Sequence, residues 1–190
     1  MCYNKKRLVV DSFCSILSPS DLNQDSFAES VLIKAYTGHG KRKEDFMSQF
    51  PKVRIIPLGG VDEIGKNMTA IEYEDDILVV DCGSIFPNDD MLGIDLVIPD
   101  ASYLVANKNR VRGYVFTHGH EDHIGATPYV LQQVPAPIWG TRLTLALIDL
   151  KLREHRVNDI QMNPIVPRDE VTIGHFTVKF IKVSHSIPGA

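Results

Sequence analysis

One hexapeptide constrains this chain more than any other feature: His118-Gly119-His120-Glu121-Asp122-His123, in the pattern His-x-His-x-Asp-His. Imidazole and carboxylate are the ligands that zinc and similar ions take in hydrolytic sites. The apolar run Val111 to Phe116 stands immediately before it. That run reads as a buried strand that delivers His118 at its end. The fold therefore has to hold a curled loop at a strand end, with a rigid frame behind it. On such a loop His118 and His120 reach one ion, while Asp122 and His123, at the start of the next helix, point back to a second. Paired ions about 3.5–4 Å apart clamp both ends of a displaced ester, and the pKa of bound water falls to about 7. The expectation is a metal-dependent hydrolase.

A first ion needs a third protein ligand. His185 is the candidate, because it follows the apolar run Phe176 to Val183 and is flanked by Ser184 and Ser186. Asp81 ends the run Ile77 to Val80 and either orients a ligand histidine or serves as a turn residue before Gly83. Asp122 and Asp81 are thus the two carboxylates carried as catalytic candidates. Glu121 reads as solvent-facing or as a local hydrogen-bond partner. His39, His155 and His175 read as structural or surface residues. The glycine loop 59–67 lacks GxxxxGK[ST] and precedes a strand, which argues against a nucleotide cradle and for a tight turn near the metal rim.

The rest of the chain supplies the frame. Val53 to Ile56 reads as a strand closed by Pro57. Met68 to Tyr73 and Ile77 to Val80 read as a hairpin around an acidic turn. Residues 86–99 read as a loop. A helix is expected over about 125–133, with Pro128 in its first turns, and a second from an N-cap at Thr141 through His155. Leu143, Leu147, Leu150 and Ile148 are expected on one side of it. Residues 171–183 read as a hairpin. Residues 1–50 lack any sustained period and read as a poorly ordered leader or an extension. With 44% hydrophobic and 23% charged residues the chain can build a core, and a formal charge of -4 gives no global basic footprint for nucleic acid. Three cysteines, an odd number without CxxC spacing, fit a reducing cytoplasm. No apolar stretch approaches membrane-spanning length.

These features together resemble the metallo-β-lactamase superfamily and, within it, the ribonuclease J family of the β-CASP group. The residues that carry the likeness are 56–67, Asp81, 86–95, Ile98-Pro99-Asp100, 117–126 and His185-Ser186-Ile187-Pro188. It covers residues 52–190. It implies an α/β fold, the αββα sandwich of two pseudo-symmetric halves. It also implies a two-zinc site, with His118, His120 and His185 on one zinc and Asp122 and His123 contributing to the other. Manganese also suits the donor set. The implied activity is hydrolysis of RNA phosphodiesters, as an endonuclease and as a 5′→3′ exonuclease, in RNA maturation and decay. RNA is the implied partner, and the full-length protein is open to homo-oligomerisation. The family's next aspartate, its later metal histidine and its β-CASP domain would fall past Ala190, and Pro188-Gly189 stands where an acidic residue is expected. On that basis 51–190 is the N-terminal part of the domain, a truncated first half of the sandwich. It would hold about one metal, have reduced or no activity, and expose a face. Two alternatives stay open: another hydrolase on the same site, and a non-catalytic metal-binding chain.

Overall fold

The computed structural model describes residues 8–11 and 52–190. The leader reading of 1–50 therefore lies outside the described residues, except for one short strand.

Six strands form the main sheet in the order β2–β3–β4–β5–β6–β7. They are β2 (Val53–Gly59), β3 (Met68–Tyr73), β4 (Asp76–Val80), β5 (Val111–Val115), β6 (Ile138–Thr141) and β7 (Met162–Ile165). β3 runs antiparallel to both β2 and β4, and β4 to β7 run parallel to one another. A second sheet has the order β1–β9–β8, from β1 (Leu8–Asp11), β8 (Glu170–Ile173) and β9 (Phe176–Lys179), with β1 parallel to β9. Four α-helices and one 3-10 turn (Lys108–Arg110) complete the described residues: α1 (Ser102–Ala106), α2 (Glu121–Ile124), α3 (Thr127–Gln133) and α4 (Arg142–Glu154).

Strand alternation sorts the side chains into two cores. On one face of the main sheet Met68, Ala70, Ile77, Val79, Tyr114 and Ile138 pack under Leu104, Val130, Leu131, Ile148 and Leu152 of the helices. On the other face Ile71, Leu78 and Val115 meet Ile173, Phe176 and Val178 of the second sheet. The layers are thus helix, sheet, sheet, the corresponding part of the expected αββα sandwich.

Most expected elements are present, and the differences have physical causes. Pro57 does not close β2 but lies inside it, opposite Thr69, with the register slipping before Gly59. β2 is an edge strand, where a missing N–H leaves no ladder bond unmade. The same holds for β7, which contains Pro164 at the opposite edge and was not expected from the sequence, as β6 was not. The helix expected over 125–133 is α3, with Pro128 in its first turn, and a separate short helix, α2, precedes it over Glu121–Ile124. The last hairpin strand ends at Lys179 rather than Val183.

Helix α4 turns inward a face shifted from the expected one: Ile148 lies on it and Leu147 is half-buried at its margin. Thr144, Leu145, Ile148 and Leu152 are buried, whereas Leu143 and Leu150 are exposed. β6 ends at Thr141 and α4 begins at Arg142, so no loop intervenes to set the phase. Thr144 and Leu145 therefore lie over Gly140 and Phe116. Thr141 is the N-cap residue as expected, but its hydroxyl meets that of Thr144 at 3.0 Å rather than a backbone N–H.

Candidate metal centre

The site lies where the parallel strands β4 and β5 end side by side. Ligands of open α/β sheets gather at the carboxyl ends of such strands. β4 runs into Asp81 and β5 into Phe116-Thr117-His118, and the two exits are joined by Asp81 N–H donating to Val115 O at 2.9 Å. Asp81 has φ +59, a left-handed conformation that a non-glycine residue adopts only when its surroundings hold it. Here they do. Its Oδ1 accepts from Thr117 N–H at 2.8 Å, its Oδ2 from the Thr117 hydroxyl at 2.9 Å, and its Oδ2 lies 2.8 Å from His123 Nδ1.

The ligand loop itself is clamped by backbone. Cys82 N–H donates to His123 O at 2.7 Å, Ser84 N–H to Glu121 O at 3.0 Å, and Asn67 N–H to Asp122 O at 3.0 Å. Gly83 is needed in this clamp, because a Cβ there would lie 1.6 Å from Asp122 O. The Asn67 side-chain amide donates to Asp122 O at 3.0 Å and to Asp122 Oδ2 at 3.3 Å, and it lies 3.3 Å from His123 Nε2. The glycine loop thus packs against the rim, as its sequence suggested.

Three histidines converge. His118, His120 and His185 each offer a ring nitrogen, and these atoms all lie within 4.8 Å of one another. His118 Nε2 and His120 Nδ1 are 3.1 Å apart. The His185 ring centre is 4.4 Å from that of His118 and 4.8 Å from that of His120. His185 sits on the segment after β9, which Val183 N–H closes onto Ala190 O at 3.1 Å. Gly119 lets the loop pass under α4, since a Cβ there would lie 2.6 Å from Leu147 Cδ1. His118 is buried, His120 half-buried and His185 exposed, so the cluster opens to solvent on one side. A three-nitrogen set with one open side suits a divalent cation that keeps a free position.

The remaining pair lies alongside. His123 Nε2 is 3.4 Å from Asp122 Oδ2, and the His118 and His123 ring centres are 4.1 Å apart. Burial, followed by the neighbouring histidines His123, His185 and His120, pushes the His118 ring down to about 4, so it is neutral and ready to ligate. For His123 burial works in the same direction, but the Asp81 carboxylate and then Asp122 outweigh it and raise the ring above its ordinary value.

Other sequence candidates lie elsewhere. Glu121 pairs with Lys151 at 2.7 Å on the surface. His155 stacks edge-on against Tyr129, and His175 pairs with Asp76 at 2.6 Å. His39 lies outside the described residues. Cys82 is fully buried, and burial, then Asp81, pushes its thiol well above the usual range, so it is a packing residue. Sequence reasoning did not single out Thr117, Asn67 or Gly83. The only signal for Thr117 was its place between the strand and His118. Asn67 was visible only as the last residue of the glycine loop.

Residues 61–186 match the family model of the metallo-beta-lactamase superfamily. The chain is 49% identical to ribonuclease J 1 of Streptococcus pyogenes serotype M3 over 138 residues, 72% of this chain and 25% of that protein. It is 44% identical to ribonuclease J of Mycoplasma pneumoniae over 150 residues, 77% of this chain and 26% of that protein. The chain thus spans about a quarter of the length of the curated relatives it matches. Among solved structures, a protein of unknown function from Enterococcus faecalis V583 is similar in fold, with a TM-score of 0.51 at 16% identity, over 73% of this chain and 39% of that one.

Proposed function

The chain belongs to the metallo-beta-lactamase superfamily, and from that premise we propose that it carries the metal centre of a zinc-dependent ribonuclease. The substrate class is RNA, cleaved at phosphodiester bonds internally and from the 5′ end, in the maturation and decay of cytoplasmic RNA. The observation that carries the metal reading is the convergence of His118, His120 and His185. The similarity to ribonuclease J proteins supports the choice of RNA over other esters. No helix among the described residues is long and apolar enough to cross a membrane.

The side chains divide the work. His118, His120 and His185 would hold the first zinc, and Asp122 and His123 would contribute to a second. Zinc there supplies Lewis-acid charge to a phosphoryl oxygen and lowers the pKa of water to about 7. Asp81 holds His123 in place through the 2.8 Å contact, and Asn67 holds the Asp122 carboxylate. The exposed side of His185 leaves the face toward solvent open for an extended substrate.

Elemental analysis of the purified chain tests the reading first. The three-histidine position is expected to retain about one zinc per chain, and His118→Ala and His120→Ala are each expected to abolish it. Zinc retained by both variants would sink the assignment. A 5′-monophosphorylated RNA set against a chromogenic lactam then decides the substrate. Lactam turnover without RNA cleavage would move the chain to another hydrolase of the superfamily. Reconstitution with manganese in place of zinc identifies the working metal.

A further inference from the structure

We propose that Thr117 is the positioning residue that fixes which nitrogen of His118 faces the metal; this rests on the metal reading above. Asp81, as a carboxylate, can only accept. Its Oδ1 takes the Thr117 backbone N–H at 2.8 Å. Its Oδ2 takes His123 Nδ1–H, the ring nitrogen 2.8 Å away. The Thr117 Oγ1 lies 2.9 Å from Oδ2 and 3.1 Å from Oδ1. A threonine hydroxyl has a single proton, and with two acceptor oxygens this close it donates that proton to Asp81. What Oγ1 then offers its other neighbours is a lone pair. His123 Nδ1 is the farther of them, at 3.4 Å, and its proton already goes to Asp81 Oδ2, which is nearer at 2.8 Å. The nearer neighbour is His118 Nδ1 at 3.0 Å. His118 must therefore carry its proton on Nδ1, which leaves the lone pair of Nε2 free. Nε2 is the atom that faces His120 Nδ1 at 3.1 Å.

One buried carboxylate thus sets the tautomer of two histidines. It acts on His123 directly and on His118 through the Thr117 hydroxyl. Those two rings belong to different halves of the metal centre, so Thr117 is the joint by which a single aspartate orders both. A hydrophobic residue of the same shape would keep the strand end and lose only this direction of protons.

Two measurements decide it. Nitrogen-15 NMR of the imidazoles in the metal-free full chain is expected to show His118 protonated on Nδ1, and Thr117→Val is expected to lose that preference. Zinc affinity, read by competition with a chelator, is expected to fall about 10–100-fold in Thr117→Val and to stay within a few-fold of the parent in Thr117→Ser. A parent His118 protonated on Nε2, or a folded Thr117→Val with parental zinc affinity, would overturn the proposal. If Thr117→Val does not fold, the parental tautomer and the Ser variant decide. If the parent chain holds no zinc at all, the metal reading fails, while the NMR measurement still tests Thr117.

Discussion

Gly83 shows how little room the centre leaves at the scale of single residues. A Cβ there would stand 1.6 Å from Asp122 O and 2.9 Å from Asn67 N, both backbone atoms that cannot swing aside. Gly83→Ala should therefore displace the first turn of α2, at a cost of about 1–3 kcal/mol or more. It should also weaken zinc binding, because Asp122 and His123 ride on that turn. Urea denaturation and chelator competition on the same variant check both parts, and parental values in both would mean the clamp is not where it is placed here. The contrast with the histidines explains what was legible. Few residue types ligate metals, so His118, His120, Asp122, His123 and His185 stood out as candidates by type and spacing, and the fold brings the ring nitrogens of His118, His120 and His185 together. Gly83, Asn67 and Thr117 act through backbone and hydroxyl contacts with residues far away in the chain, and no local pattern encodes such partners.

At the scale of elements, α4 is the instructive case. Two apolar stripes satisfy its period, Leu143-Leu147-Leu150 and Leu145-Ile148-Leu152. Periodicity cannot choose between them, and the direct join of β6 to α4 over Gly140 makes the choice. The energetic consequence is asymmetric. Leu145→Ala opens a cavity among residues such as Phe116 and Ile148 and should cost about 2–5 kcal/mol. Leu150 is 58% exposed, and Leu150→Ala should stay within about 0.5 kcal/mol of the parent. Chemical denaturation of the pair is the check, and equal losses would show that the helix is turned the other way. The central strands were legible because buried runs and turn residues bounded them. β6 and β7 were not, since each is four residues long and β7 contains a proline.

At the scale of the whole molecule, the two sheets are fastened at one end by a buried carboxylate. Asp76 opens β4 in the main sheet and is 4% exposed. It accepts from the Arg112 guanidinium of β5, and from His175 N–H at 2.8 Å in the turn of the second sheet's hairpin. His175 Nδ1 stands 2.6 Å from the same carboxylate. Gly174, at φ +56, brings that turn close, since a Cβ there would lie 2.2 Å from Asp76 Oδ2. Burial opposes ionisation of Asp76, but Arg112 and His175 outweigh it and hold the carboxyl below its ordinary value. A carboxyl depressed in the folded state binds its proton more readily in the unfolded chain. Its stabilisation is therefore complete above the unfolded value of about 3.9 and is lost as pH falls through the lower folded value. His118 loses stability in a higher window. Its ring is neutral in the fold down to about 4 and takes a proton near 6.5 when unfolded, so its contribution in the metal-free protein declines between those values. Asp76→Asn should cost about 1–3 kcal/mol at pH 7, because it leaves Arg112 and His175 facing a neutral amide. It should also flatten the fall in stability below about pH 4, while leaving the decline between pH 6.5 and 4 intact. Urea midpoints of the metal-free parent and variant, measured from pH 7 to pH 3, separate the two windows. An unchanged acid limb in Asp76→Asn would show that the sheets are held together by their apolar faces alone.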